Sequence, residues 1–182
     1  MTIDILRNRA ATKWSLREQL GRMLWAALWP CFRLSPRPLW GWRRFLLRLF
    51  GAKLGRHVHI HPSVTITIPW NLSVGHMSSI GDAVRIYNLG PVRIGERTTV
   101  SQGAHLCAGT HDYELKAFPL VKSPITLGDD VWICADAFLG PGVSVGDLAV
   151  VAARAVVMRD VAASSVVAGN PARLVKTRPA PR

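Results

Sequence analysis

A six-residue recurrence constrains this chain more than any other feature. Aliphatic residues stand at Ile94, Val100 and Leu106, and again at Leu127, Ile133, Leu139, Val145, Val151 and Val157. Four positions after each comes Thr, Ala or Val: Thr98, Ala104, Thr110, Val131, Ala137, Val143, Ala149, Ala155 and Val161. The residue directly after each aliphatic is small, Met158 excepted. Weaker copies begin at Ile60, Val74, Ile80 and Ile86. Helices repeat every ~3.6 residues and strands every ~2, so a period of six fits neither alone. It fits a mainly β solenoid in which every face is a short strand plus a tight corner, and three faces make one coil. The aliphatic residue points into the prism and stacks on its equivalents above and below. Gly81, Gly95, Gly128, Gly140 and Gly146 fall where such corners are expected.

The recurrence breaks once. Leu106 and Leu127 are 21 residues apart where six are due, and the surplus is assigned to a loop over residues 112–124. A regular solenoid accepts a loop only on its outside, where function gathers. His111 stands at the point of departure. An imidazole can take a proton from a hydroxyl and return it to a leaving group. A structural loop histidine is the alternative. Cys107 and Cys134 follow an aliphatic residue, where small residues fill corners, and are read as packing residues. Asn88, before Leu89-Gly90, is the candidate ligand for a substrate's adjacent hydroxyls, because its amide both donates and accepts. A turn residue is the competing reading.

The net charge of +12 in 182 residues invites a polyanion partner. Its placement argues otherwise. Residues 1–56 hold 12 Lys/Arg against two acids, and five of the seven Trp. Residues 57–182 hold 11 Lys/Arg against nine acids. The body is nearly neutral, and nucleic-acid binding is not expected. Residues 1–56 are read as a basic, Trp-rich helical arm, 57–162 as the solenoid and 163–182 as a C-terminal segment. Two amphipathic helices are expected in the arm. The first starts at the capping box Ser15–Glu18, carries Leu16, Leu20, Met23, Leu24, Ala27 and Leu28 as its apolar stripe, and stops at Pro30. The second carries Leu39, Trp42, Phe45, Leu46, Leu49 and Phe50. Those stripes either cap the open end of the solenoid or lie on an anionic membrane surface. No run of 18 apolar residues exists, the N-terminus lacks the order of a signal peptide, and three scattered Cys suit a reducing compartment. A cytoplasmic location is expected, with peripheral association at the inner membrane face as an option.

The recurrence resembles that of the hexapeptide-repeat acyltransferases, whose fold is a left-handed parallel β-helix, over about residues 52–178. The segments Gly109-Thr110-His111-Asp112-Tyr113, Pro124-Ile125-Thr126-Leu127-Gly128-Asp129-Asp130-Val131-Trp132-Ile133 and Gly169-Asn170-Pro171-Ala172-Arg173 are similar to those of the sugar O-acetyltransferases in that family. Galactoside, maltose and nodulation-factor acetyltransferases share this order. The arm and Pro69-Trp70-Asn71-Leu72 resemble the group serving colanic-acid biosynthesis.

That resemblance implies direct transfer of an acetyl group from acetyl-CoA to a sugar hydroxyl, with His111 as the base and sites between subunits of a homotrimer. It implies an oxyanion-binding N–H at Ala135. Trp132 would flank the pantetheine, Ala135 and Ala153 would line its channel, and Arg159, Arg173 and Lys176 would meet the phosphates. It implies no metal. The competing readings are a γ-carbonic-anhydrase-like zinc enzyme, suggested by His57, His59, His61, His105 and His111, and a non-catalytic solenoid binding module.

Overall fold

The structure is a computed structural model and describes residues 3–179. Every aliphatic position of the recurrence, from Ile60 to Val157, points inward, and none is more than 4% exposed. Strands of two or three residues carry them in three parallel ladders. The first face stacks Lys53–Leu54, Leu72–Val74, Val92–Ile94, Ile125–Leu127 and Ser144–Val145. The second runs from His59–Ile60 through Trp132–Ile133 to Ser165–Ala168, and the third from Thr65–Ile66 through His105–Cys107 to Val156–Val157. Equivalent hexad positions align. Trp132 pairs with Thr99 below and Val150 above, and Phe138 with His105 and Val156. Neighbouring strands are ~4.8 Å apart, so the inward side chains form unbroken columns.

The first ladder already begins at Lys53, paired with Ser73, inside the segment read as arm. At the other end Arg173–Thr177 turns back antiparallel on Ser165–Ala168 and covers that edge.

The corners work differently from the expectation. The left-handed turn positions are filled mostly by ordinary residues, among them His57, Met77, Arg97, Asp130, Leu148 and Arg154. Gly81, Gly95, Gly128, Gly140 and Gly146 are not among the positive-φ residues. They are small because coils touch there: a Cβ on Gly146 would stand 2.6 Å from Ala163 N. Hydroxyls tie successive coils from inside. Buried Ser78 Oγ donates to Gly95 O (2.7 Å) and accepts from Thr98 N–H (3.0 Å), and Thr98 Oγ1 donates to Gly128 O (2.7 Å).

The arm forms three helices, not two: Ile5–Ala10 (α1), Leu16–Arg33 (α2) and Trp40–Leu49 (α3). The capping box at Ser15 and Glu18 is formed, and hydrogen bonds to Ser15 hold the Glu18 carboxyl below its ordinary range. Pro30 does not stop α2. It forfeits one N–H, but Leu34 N–H still reaches Pro30 O at 2.9 Å and closes the last turn.

The helices do cap the solenoid, α2 with the face opposite to the one expected and α3 with only the Leu46 and Phe50 part of its expected stripe. Trp25 and Phe32 of α2 and Leu46 and Leu47 of α3 are buried on the first coil. Trp25 Nε1–H donates to Ile66 O at 2.8 Å, and its ring meets Phe32 and Phe50 edge-on. Wide rings cover a flat prism end better than aliphatic side chains. The rest of the expected stripes faces outward: Leu16, Leu20, Met23, Leu24, Trp42, Phe45 and Leu49 are all exposed.

Arg43, placed off the apolar stripe by the sequence, is fully buried between cap and coil. It donates to Ile60 O (2.6 Å), Ser35 Oγ (2.8 Å), Pro36 O (2.9 Å) and Arg37 O (2.6 Å) and lies over the Trp40 ring. Burial lowers its pKa from the ordinary arginine value. Its guanidinium is satisfied by neutral acceptors alone.

Candidate active site

The one extruded loop leaves the corner between the third and first faces, after His105–Cys107 and before Ile125–Leu127. Its stem is a two-stranded antiparallel ribbon, Thr110–His111 against Leu120–Val121. This explains why Thr110 alone of the fourth-position residues is exposed. The ribbon delivers His111 half-buried at its base.

Two contacts orient the imidazole. It stacks on the Phe118 ring, with centroids 4.6 Å apart and planes 7° from parallel. Its Nδ1 lies 2.9 Å from Phe118 O. A carbonyl only accepts, so Nδ1 carries the proton and Nε2 keeps its lone pair. Phe118 reaches this position through a left-handed backbone, φ 45°. Asp112, adjacent to His111, accepts from Glu114 N–H (3.0 Å) and shapes the loop turn.

The orienting carbonyl is itself held from the arm. Asn8 Nδ2 of α1 donates to Phe118 O and to Ala117 O (3.0 Å). Asp4 N–H donates to Lys116 O (2.8 Å), and Lys122 Nζ donates to Lys13 O (3.0 Å) from above the Trp14 ring. Neither Asn8 nor Phe118 was singled out by the sequence. The acceptor is a main-chain oxygen, and 110 residues separate the partners.

The remaining candidates fall into two groups. Trp132 is half-exposed on the second face, with Nε1–H donating to Ser101 Oγ at 3.0 Å. Ala135 and Ala153 occupy stacked corners between the second and third faces, where Arg154 N–H donates to Ala135 O at 2.9 Å. The Ala135 N–H donates to no group among the described residues. Arg159 follows a third-face strand, on the side where the loop departs. With Arg173 it lines a cleft of about 610 Å³. Lys176 is exposed further along the Arg173 strand and does not line that cleft. Within one chain, His111 and Trp132 therefore belong to different sides of the prism.

Asn88 is corrected. It is 0% exposed, and its amide closes a pair of bonds with Ile68, accepting from N–H at 2.9 Å and donating to the carbonyl. Side chains alternate along the strand: Ile86 points in, Tyr87 out and Asn88 in. The outward groove on this face, about 320 Å³, is lined instead by Thr67, Arg85, Tyr87, His105 and Cys107.

Other chemistry is poorly supplied. His59 stacks on Trp40, and His61 Nδ1 lies 3.1 Å from Asp82 Oδ1. Among the described residues no three His, Cys, Asp or Glu side chains converge as metal ligands. Burial pushes the Cys134 thiol up, away from a reactive thiolate.

Coils built on hexads, with one loop carrying an oriented imidazole, define a hexapeptide-repeat protein of the acyl-transferring type. No family model matches the chain. It is 43% identical to the colanic acid biosynthesis acetyltransferase WcaF of Escherichia coli over 157 residues, 86% of each chain. It is 28% identical to the galactoside O-acetyltransferase of the same organism over 74% of this chain and 68% of that one. Among solved structures it matches the hexapeptide-repeat acetyltransferase VCA0836 of Vibrio cholerae with a TM-score of 0.83 and 26% identity, covering 90% of this chain and 93% of that one. The chain belongs to the hexapeptide-repeat acetyltransferase family.

Proposed function

We propose that this protein transfers an acetyl group from acetyl-CoA to a sugar hydroxyl during exopolysaccharide assembly, with His111 as general base. The observation that carries this reading is the fixed tautomer of His111, whose Nδ1–H is committed to Phe118 O and whose Nε2 is left basic. The Vibrio cholerae relative has been crystallised with acetyl-CoA, and a galactoside acetyltransferase with coenzyme A. The colanic-acid relative supports a polysaccharide role.

His111 Nε2 takes the proton of the acceptor hydroxyl as its oxygen forms a bond to the thioester carbonyl carbon. The free Ala135 N–H stabilises the negative charge gathering on the carbonyl oxygen. The C–S bond then breaks, and His111 returns its proton to the departing thiolate. No acyl-enzyme forms, so holding both substrates in line supplies much of the rate. Arg159 and Arg173 supply guanidinium groups for phosphates at their cleft, with Lys176 nearby. Trp132 offers a flat apolar face to the pantetheine, and Ala153 leaves room for it. The groove at Arg85 and Tyr87 lies on the face from which the loop departs and suits a polyhydroxylated acceptor.

Because His111 and the Trp132 side lie apart in one chain, the working site combines the loop of one subunit with the second face of its neighbour in a homotrimer. The enzyme works in the cytoplasm at the inner membrane face, reached through the arm. The test is release of free coenzyme A from acetyl-CoA with a panel of sugar acceptors. His111→Ala should lower turnover by about 10²-fold or more. Full turnover in that variant overturns the mechanism.

A further inference from the structure

We infer that the outward face of the α2–α3 cap is a docking surface for an anionic lipid bilayer. This deepens the location proposed above and does not depend on acetyl transfer. Leu16, Leu20 and Met23 on α2 are 55–85% exposed, and Trp42, Phe45 and Leu49 on α3 are 42–63% exposed. Their spacings of three and four residues place each set on one helix face, opposite buried Trp25 and Phe32 on α2 and flanking buried Leu46 on α3. The cap thus has an apolar inside and an apolar outside. The inner face meets the core. The outer one is exposed and, among the described residues, is met only within the cap, by the Trp42–Phe45 stack and the Trp42 bond to Cys31 O; exposed apolar surface of this kind marks an interaction site.

Charge selects the occupant. The 1–56 segment holds 12 basic residues against two acids. Arg17 and Arg33 are exposed and form no ion pair among the described residues, while the exposed Arg48 is turned to the first coil, donating to Leu54 O (2.9 Å) and Gly55 O (3.1 Å). Glu18 is engaged in its own capping box. A second copy of this face would bring two equally basic surfaces together, whereas an anionic headgroup layer offers the opposite charge. Trp42 offers the exposed part of its ring to the headgroup boundary, its N–H being donated to Cys31 O at 3.1 Å. No described helix is long and apolar enough to cross a membrane, so α2 and α3 lie in the plane of the surface.

The test is co-sedimentation of the full chain with vesicles of phosphatidylglycerol and phosphatidylcholine, against phosphatidylcholine alone. Binding is expected to the anionic vesicles and to weaken in ~0.5 M salt. The exchange Leu20→Glu with Phe45→Glu should lower it by at least about tenfold. Both side chains are exposed, so the thermal midpoint should be unchanged. Three outcomes overturn the inference: the intact chain leaves anionic vesicles unbound, the double variant binds as the intact chain does, or light scattering shows that the double variant has dissociated into smaller assemblies. The last result assigns this face to contact between chains. None of these outcomes reads catalysis, so the acetyl-transfer reading stands or falls separately.

Discussion

Asn8 offers a direct test of how far the N-terminal arm reaches into the chemistry. Its Nδ2 donates to the carbonyls of Ala117 and Phe118, and the latter also accepts from His111 Nδ1. Asn8→Ala removes both donors and leaves the imidazole with a carbonyl no longer held from behind. Each hydrogen bond exchanged for water is worth ~1 kcal/mol net, so loop attachment weakens by ~2 kcal/mol. If the attached loop is the reactive form, the turnover number should fall between about fivefold and thirtyfold. The lower figure applies if water replaces one donor. The KM for acetyl-CoA should hold, because Arg159, Arg173 and Trp132 do not touch this loop. Asn8→Asp keeps the shape but offers no amide donor, and it should lose at least as much. Lys122–Lys13 and Asp4–Lys116 still tie loop to arm, so the global thermal midpoint should move little. The assay is steady-state turnover across pH for the three proteins. Unchanged turnover in both variants would falsify the positioning role. A fall in turnover matched by loss of folded protein would refute it equally.

Two further expectations concern stability. Arg43→Met should strand the carbonyls of Ile60, Pro36 and Arg37. Unpaired buried acceptors cost ~1–3 kcal/mol each, so a loss of roughly 4 kcal/mol in urea unfolding is expected; a variant as stable as the parent contradicts the reading of the cap. His105 is held below its ordinary pKa, chiefly by burial and then by Arg85. The unfolded chain therefore binds the proton first, and stability should decline as pH falls below ~6.5, levelling off below the folded-state pKa. His105→Phe should flatten that slope in thermal melts from pH 5 to 8, and an unaltered slope assigns it to other groups.

The columns of the core were legible because the hexad places one aliphatic residue per strand, and parallel stacking demands nothing longer-range. The place of the loop with His111 at its base was legible because the six-residue recurrence is stretched there to 21 residues. Asn88 was misread although the needed signal was present: two residues after inward Ile86, on an extended backbone, a side chain points inward again. The arm misled for another reason. Each of its two long helices carries two apolar stripes, and the more continuous aliphatic one drew the assignment. The solenoid end instead takes rings, Trp25 and Phe32, together with a guanidinium that reaches main-chain oxygens. Asn8 and Phe118 meet through the backbone, which no side-chain pattern records.

The pairing of Val92–Ile94 directly with Ile125–Leu127 closes the coil as though the intervening loop were absent. The frame does not depend on what hangs from that seam. Such a scaffold lets its loop lengthen, shorten or change composition while the columns beneath keep their register. A lineage can therefore rewrite that single excursion without renegotiating the stability of the prism that carries it.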